Sequence, residues 1–420
     1  MDHEKLVVSG GNPLRGRIEA GGAKNSALKL MAATLLAEGS YRIERVPRIV
    51  DVQTMVQVLG RLGCATTFEG NTLTVDVPAE PGTEAPYDLV RQMRASIIVL
   101  GPLLARRGHA RVSMPGGCAI GSRKIDLHLR GLERMGAEIA MDHGYLDARC
   151  DRLTGTRVVL DFPSVGATEN LIMAGVLAKG TTRIENAARE PEIADLCAML
   201  ATMGARIAGA GTPDVEIEGV DALRATDHVV VGDRIEAGTY LIAAAATGGD
   251  VTVTGVAPKH LDLPLQKLAD AGAQVDAGVN EVRVAMPGGP KPVDFVTLPF
   301  PGFPTDLMPQ MMVLCSLAGG DSIATENVFE SRFMFVDEIR RMGADIRLDG
   351  HHAAIRGGAR LQAAPVRAPD IRAGAALVIA ALAAEGETEI TGLGFIDRGY
   401  ERIEERLATL GARIERRVPR

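Results

Sequence analysis

Apolar residues along the chain follow two alternating rhythms. Runs such as Ile193, Leu196, Leu200 and Met203 recur three and four residues apart, the spacing of one helix face. Shorter runs, such as Ala205-Arg-Ile-Ala and Val215-Glu-Ile-Glu, alternate apolar with polar residues around Gly209-Ala-Gly-Thr and predict a β-hairpin. One punctuation mark joins the two rhythms, an apolar residue, Gly and a small residue: Leu62-Gly63-Cys64, Met135-Gly136-Ala137, Met203-Gly204-Ala205, Ala271-Gly272-Ala273, Met342-Gly343-Ala344 and Leu410-Gly411-Ala412. These glycines lie 73, 68, 68, 71 and 68 residues apart. A second mark, an Ala/Leu-rich helix closed by glycine, falls at Gly39, Gly108, Gly180, Gly249, Gly320 and Gly386, in steps of 69, 72, 69, 71 and 66. Six repeats of about 70 residues fill the 420-residue chain.

Each glycine follows a helical run and is expected at the helix C′ position in the left-handed region. The predicted repeat is helix A, glycine, strand, loop, helix B, Gly-small, strand, turn, strand. After Gly411 too few residues remain for a second hairpin strand, so Lys5 to Glu19 is expected to supply it from the other end of the chain. The pentapeptide Arg17-Ile-Glu-Ala-Gly recurs at Arg234-Ile-Glu-Ala-Gly, out of register with the repeat, and carries no structural expectation.

Composition narrows the function classes. With 46 basic and 53 acidic side chains the formal charge is −7, the wrong balance for a nucleic-acid stripe. Aromatics are 3% of residues with no Trp, which leaves a core of Ala, Val, Leu, Ile and Met and no stacking platform for single strands. No run of 18 apolar residues occurs, and Met1-Asp2-His3-Glu4-Lys5 lacks a signal-peptide pattern, so a cytoplasmic protein without a membrane partner is expected. The five cysteines, Cys64, Cys118, Cys150, Cys197 and Cys315, show no C-x-x-C spacing, which argues against disulfides and a thiolate zinc site. No metal is expected, and neither a phosphate loop nor a G-x-S-x-G elbow is present.

Polar chemistry concentrates at two layers of the repeat. Fourteen residues before the helix-A glycine, fifteen in the first repeat, stand Lys24, Arg94, Gly166, Ile235, Asp306 and Arg372. A cation at a helix N-terminus is disfavoured unless an anion joins it, so three such positions at one register point to bound anions; solvated surface cations are the competing reading. The second layer, before helix B, holds Arg48 and Asp51, Arg189 and Glu190, Arg332, and Asp397 with Arg398. In repeat two the span from Gly108 to Gly136 is 28 residues against 23 to 25 elsewhere, and the excess is Met114-Pro-Gly-Gly-Cys118-Ala-Ile-Gly-Ser-Arg123-Lys124. A thiol in a glycine-rich loop beside Arg111, Arg123 and Lys124 is expected to be reactive, whereas the other four cysteines sit in apolar patterns and read as structural. Among the histidines, His109, His143 and the pair His351-His352 fall in turns, and His128 alone lies near the long loop.

Ala23-Lys24-Asn25, Arg91-Gln-Met-Arg94-Ala-Ser, Pro115-Gly-Gly-Cys118-Ala-Ile-Gly-Ser-Arg123, Ser164-Val-Gly-Ala-Thr, Glu190-Pro-Glu-Ile, Phe303-Pro-Thr-Asp306, Arg332-Phe-Met and Asp397-Arg-Gly-Tyr-Glu-Arg together resemble the enolpyruvyl transferase family, specifically its UDP-N-acetylglucosamine 1-carboxyvinyltransferases. The resemblance covers the whole chain. It implies an α/β fold of two inverted α/β-barrel domains, three repeats each, over residues 24–231 and over 232–420 with 1–23, and an active site in the cleft between them. The implied reaction moves the enolpyruvyl group of phosphoenolpyruvate onto the 3′-hydroxyl of UDP-N-acetylglucosamine by addition and elimination, the first committed step of peptidoglycan synthesis. By the same resemblance Cys118 is the proton donor and the target of fosfomycin, Asp306 the base, and Lys24, Asn25, Arg123, Arg372 and Arg398 hold phosphoenolpyruvate, with Lys24 and Arg398 also catalytic. Asn25, Arg94, Arg123, Lys124, Ile125, Asp126, Leu127, Ser164, Val165, Gly166, Asp306 and Val328 would surround the nucleotide sugar.

Val50 and Phe162 stand where some relatives carry Lys, so the family's diphosphate and uracil contacts are not carried over to these two positions. The partners implied are the two small-molecule substrates; no cofactor is implied and a monomer is expected. The sister transferase acting on shikimate 3-phosphate shares the six-repeat plan but lacks the long Cys loop. A repeat-built binding protein without activity is the other alternative.

Overall fold

The computed structural model describes residues 4–85, 88–89, 94–114 and 125–418, with backbone alone at 94–96. Cys118, Arg123 and Lys124 lie outside the described residues. The chain divides into two compact units, a first built from residues 22–231 and a second from 232–418 with 4–21. Each has its own apolar core.

The repeat is realised as the hydrophobic pattern predicts. All six glycines of the first mark have left-handed backbones, from φ +90° at Gly63 and Gly411 to φ +110° at Gly204. The second mark holds at Gly39, Gly108, Gly180 and Gly386, but in repeat four the left-handed residue is Gly248, and Gly320 in repeat five is not left-handed, its Cβ position instead lying 3.1 Å from Pro292 Cγ. Gly249 is glycine for another reason: a Cβ there would lie 2.1 Å from the Leu14 carbonyl oxygen.

Among the described residues six four-stranded sheets form, three per unit, each with one parallel pair; five contain a hairpin and in the sixth the two chain ends supply the corresponding antiparallel pair. In repeat three, strand Arg157–Val159 pairs parallel with Thr181–Glu185, which pairs antiparallel with Asp214–Glu218, itself in a hairpin with Arg206–Ala208. These strands alternate buried and exposed residues, whereas helix Val165–Gly175 beneath them is buried on every side from Ala167 onward. In the second unit, helices Arg234–Ala246, Met308–Leu317 and Ile371–Ala383 pack on one another and expose almost nothing. A helix apolar all round belongs inside, so the helices form the centre and the sheets the wall. The fold is α/β and inside-out.

The N-terminal segment departs from expectation. Lys5–Ser9 does complete the sixth sheet, antiparallel to both Glu387–Thr391 and Arg413–Arg417. Arg15–Glu19 does not join it; this strand pairs parallel with Asp250–Thr254 in repeat four. The intervening Gly10-Gly11-Asn12-Pro13 breaks the ladder, since Pro13 has no N–H to donate and Gly11 is left-handed at φ +81°. Symmetrically, His228–Val229, which precedes the helix of repeat four, pairs parallel with Gly39–Glu44 in repeat one. Each unit is thus closed by a strand that precedes the opening helix of the other.

Both crossing segments are anchored by acids. Asp195 accepts from Val231 N at 3.1 Å and from Ser26 Oγ, and faces His228 Nε2 at 2.9 Å, which ties that segment to helix Lys24–Ala33. Glu236 Oε2 accepts from Gly21 N at 2.6 Å in the second unit. A buried amide also links the central elements of each unit. Asn170 accepts from Gly101 N at 2.7 Å and its Nδ2 lies 3.3 Å from Ile97 O and 3.0 Å from His128 Nδ1; Gln310 Nε2 donates to Thr239 Oγ1 and to the Asp306 carbonyl, each at 3.1 Å.

Two glycines in the second unit separate steric from dihedral demands. Ala at 249 meets a backbone oxygen, whereas Ala at 411 meets nothing within 4 Å and must only adopt φ +90°. Urea titration is expected to show a loss of about 3 kcal/mol for Gly249→Ala and about 1 kcal/mol for Gly411→Ala. Equal losses would contradict the close-approach account.

Candidate functional site

Every position predicted to open a helix A does so. Lys24 is the first residue of Lys24–Ala33, Arg94 begins the 3-10 segment Arg94–Val99, and Gly166 is second in Val165–Gly175. Ile235 and Arg372 are second in their helices, and Asp306 lies in the turn Thr305–Leu307 that leads into Met308–Leu317.

In the first unit, Arg94–Val99 packs against both helix Lys24–Ala33 and helix Val165–Gly175, which brings three helix starts to one region. Lys24 is buried, and its Nζ lies 2.7 Å from Oδ2 of Asp51, also buried, in the first turn of helix Val50–Arg61. An anion at Lys24 must therefore join or displace an existing ion pair. Asn25 is half-buried beside it. Ser164 caps its helix, its Oγ accepting from Ala167 N at 3.4 Å, and Val165 and Gly166 form the first turn. Ile125, Asp126 and Leu127 open helix Asp126–Arg134, whose buried His128 approaches Gly166 so closely that a Cβ there would lie 3.2 Å from His128 Cε1. The two predicted nucleotide-sugar segments therefore touch. Phe162, two residues before Ser164, is 42% exposed, and Val50 is also exposed.

Behind this region lies a buried acid cluster. Lys29 Nζ lies 3.4 Å from Glu169 Oε2 in the interior, near Glu190 and Glu192 at the start of helix Pro191–Met203. Burial pushes the Glu169 carboxyl up to about 7; Lys29 opposes the rise while Glu192 and Glu190 add to it.

The second unit gathers its predicted residues more tightly. Asp306 sits between two buried guanidiniums: Arg332 Nη2 donates to Oδ1 at 3.0 Å, and Arg372 reaches Oδ2 with Nε at 3.1 Å and Nη2 at 3.0 Å. Burial pulls the Arg372 pKa down, but Asp306, Tyr400 and Asp233 outweigh it and hold the guanidinium firmly charged. Its Nη1 is buried and has no hydrogen-bond partner among the described residues, a donor left over for an anion. Arg398 is half-buried in the turn after helix Leu393–Ile396. That turn runs beside Arg372, since a Cβ on Gly399 would lie 3.6 Å from Arg372 Nη1. Asp397 fixes it through a two-pronged pair with Arg416 at 2.6 and 3.0 Å.

Sequence reasoning missed two groups here. Arg332 was visible only as a loop cation; its grip on Asp306 depends on how two repeats pack. Asp233 and Asp370 are helix caps, each accepting two backbone amides, and the Asp-x-x spacing before each helix was the available signal. Val328 is half-buried in the loop after strand Ser322–Glu326. Of the remaining predicted residues, Cys118, Arg123 and Lys124 are outside the described residues and the Arg94 side chain likewise.

Comparison with known proteins agrees with this architecture. The profile of the EPSP synthase (3-phosphoshikimate 1-carboxyvinyltransferase) family matches residues 8–407. A UDP-N-acetylglucosamine 1-carboxyvinyltransferase of Corynebacterium efficiens is 55% identical over 415 residues, 99% of each chain. The crystal structure of the enolpyruvyl transferase NikO from Streptomyces tendae superposes over 100% of both chains with a TM-score of 0.89 at 28% identity. An EPSP synthase of Acinetobacter baumannii shares the fold, with a TM-score of 0.78 over 99% of this chain and 100% of its own, at 18% identity.

Glu169 gives the first unit a defined pH dependence. Its folded carboxyl titrates near 7 against an ordinary 4.5, so between these values the folded protein holds a proton that the unfolded chain has released. Its contribution is most favourable below about pH 4.5 and is lost as pH rises towards 7. Relative to wild type, Glu169→Gln is expected to gain on the order of 1–3 kcal/mol between pH 5 and pH 8 in urea titrations. A wild-type minus variant difference that stays flat over this range would contradict the buried-acid assignment.

Proposed function

The chain belongs to the EPSP synthase (3-phosphoshikimate 1-carboxyvinyltransferase) family, and from that premise we propose that it transfers the enolpyruvyl group of phosphoenolpyruvate to the 3′-hydroxyl of UDP-N-acetylglucosamine, releasing phosphate for peptidoglycan synthesis. The observation that carries the choice of acceptor is the 55% identity to a UDP-N-acetylglucosamine 1-carboxyvinyltransferase over 99% of both chains, against 18% to an EPSP synthase. The long Cys118 loop of repeat two supports the same choice. Both substrates are intracellular metabolites, so the enzyme acts in the cytoplasm, and no helix among the described residues is long and apolar enough to cross a membrane.

The chemistry has two stages. In the addition, a proton goes to the methylene carbon of phosphoenolpyruvate from Cys118 while the sugar hydroxyl, losing its proton to Asp306, bonds to the adjacent carbon. In the elimination, the C–O bond to phosphate breaks and the new methyl group returns a proton, which restores the double bond. Lys24, Arg123, Arg372 and Arg398 balance the phosphate and carboxylate charges of phosphoenolpyruvate, Asn25 adds a neutral hydrogen bond to it, and Lys24 and Arg398 stabilise the departing phosphate. Asn25, Arg94, Arg123, Lys124, Ile125 to Leu127, Ser164 to Gly166 and Val328 hold the nucleotide sugar.

Geometry in the second unit supports an oriented base. With two guanidiniums on it, the Asp306 carboxylate is held in one orientation. Arg372 Nη1 has no partner among the described residues, so the same guanidinium that orients Asp306 has a donor to offer phosphoenolpyruvate.

Asp306→Asn keeps shape and removes the proton acceptor, so phosphate release with UDP-N-acetylglucosamine is expected to fall by roughly 10²- to 10⁴-fold. Wild-type turnover in this variant would remove Asp306 from the mechanism. Mass spectrometry after fosfomycin treatment is expected to find the adduct on Cys118. Burial pushes the thiols of Cys64 and Cys315 up to about 11 and that of Cys197 to about 12, and raises Cys150, which leaves all four unreactive. An adduct on any of them with Cys118 unmodified would contradict the assignment.

A further inference from the structure

Strand Ser322–Glu326 ends in a carboxylate that is 2% exposed and that the mechanism above does not use. A buried acid persists only where its oxygens are satisfied, and Glu326 is satisfied by two different segments. Its Oε1 accepts from Val328 N at 2.7 Å and Phe329 N at 3.0 Å, and its Oε2 accepts from Thr305 Oγ1 at 2.7 Å. The first pair fixes the loop that carries Val328; the third bond fixes the turn that carries Asp306.

The contacts close into a ring. Asp306, next to Thr305, receives Arg332 at 3.0 Å, and the Arg332 guanidinium lies 5.7 Å from the ring centre of Phe329, whose amide returns to Glu326. Thr297 Oγ1 takes the amide of Asn327 at 3.0 Å, so three consecutive N–H groups of this loop point inward. Only carbonyls and side chains of the loop are left to meet a ligand. A closed ring that runs through two carboxylates, Glu326 and Asp306, admits little independent movement of its two functional arms.

We propose that Glu326 is a positioning residue that sets the distance between the base Asp306 and the sugar-contacting loop at Val328. The inference rests on the reading that these two residues meet UDP-N-acetylglucosamine. It assigns Glu326 no proton transfer. Its function is to keep the hydroxyl and the carboxylate within reach, where an error of about 1 Å costs on the order of a hundredfold in rate.

Three variants separate this from simple structural support. Glu326→Gln keeps an oxygen for both amides and can donate Nε2 to Thr305, so turnover and KM are expected within about threefold of wild type. Thr305→Val cuts only the arm to Asp306; kcat is expected to fall roughly 10- to 100-fold while KM for UDP-N-acetylglucosamine moves less than about threefold. Glu326→Leu cuts both arms, lowers kcat and also raises KM for the nucleotide sugar, with KM for phosphoenolpyruvate unchanged. Amide hydrogen exchange of the free protein provides a readout that needs no reaction: Glu326→Leu is expected to speed exchange at Val328, Phe329 and Leu307 together, and Glu326→Gln at none of them. Acceleration at Val328 and Phe329 without Leu307, or a Thr305→Val enzyme with wild-type kcat, would overturn the proposal. If the wild type releases no phosphate with UDP-N-acetylglucosamine, the proposed function fails by itself, and the exchange pattern alone decides whether Glu326 couples the two segments.

Discussion

Everything in the second unit depends on burying three helices that have no solvent-facing side. Arg234–Ala246, Met308–Leu317 and Ile371–Ala383 pack on one another mostly through apolar side chains, held by dispersion and the hydrophobic effect, and the few polar ones between them, such as Gln310 and Thr239, bond to each other. Polar work is therefore displaced to the helix ends, where unpaired N–H groups demand acceptors. Asp233 and Asp370 meet that demand as caps, and Asp306 occupies the equivalent turn. Arg332 and Arg372 are themselves buried, and Asp306, half-buried, is the carboxylate that pairs with both. The charged cluster follows from the inside-out packing.

The first unit solves the same problem with the opposite sign. Its helix starts carry Lys24, Arg94 and the uncharged Ser164-Val165-Gly166 turn, and the one cation whose side chain is described is already neutralised by Asp51. One set of repeats thus offers an oriented carboxylate between arginines, and the other offers cations and bare amides suited to phosphates.

Much of the repeat was legible because left-handed backbone is nearly a glycine monopoly, so Gly63, Gly136, Gly204, Gly272, Gly343 and Gly411 mark helix ends without reference to any partner. The helix starts were legible by counting back from such marks. What depends on distant partners was not. Arg15–Glu19 has the alternation of a strand but nothing in it names Asp250–Thr254 as its neighbour. The same five residues, Arg-Ile-Glu-Ala-Gly, end that strand and its crossing segment at 17–21 and open a helix at 234–238, so tertiary context overrides local sequence. The Lys24–Asp51 pair and the Arg332 grip on Asp306 were equally hidden, because each joins residues on separate elements.

The central claim is the choice of acceptor within a family whose profile bears the name of the shikimate enzyme. The direct measurement is the initial rate of phosphate release from phosphoenolpyruvate with UDP-N-acetylglucosamine, shikimate 3-phosphate or no acceptor offered separately. The account predicts release with UDP-N-acetylglucosamine and none above background in the other two. Release with shikimate 3-phosphate and not with the nucleotide sugar would contradict it.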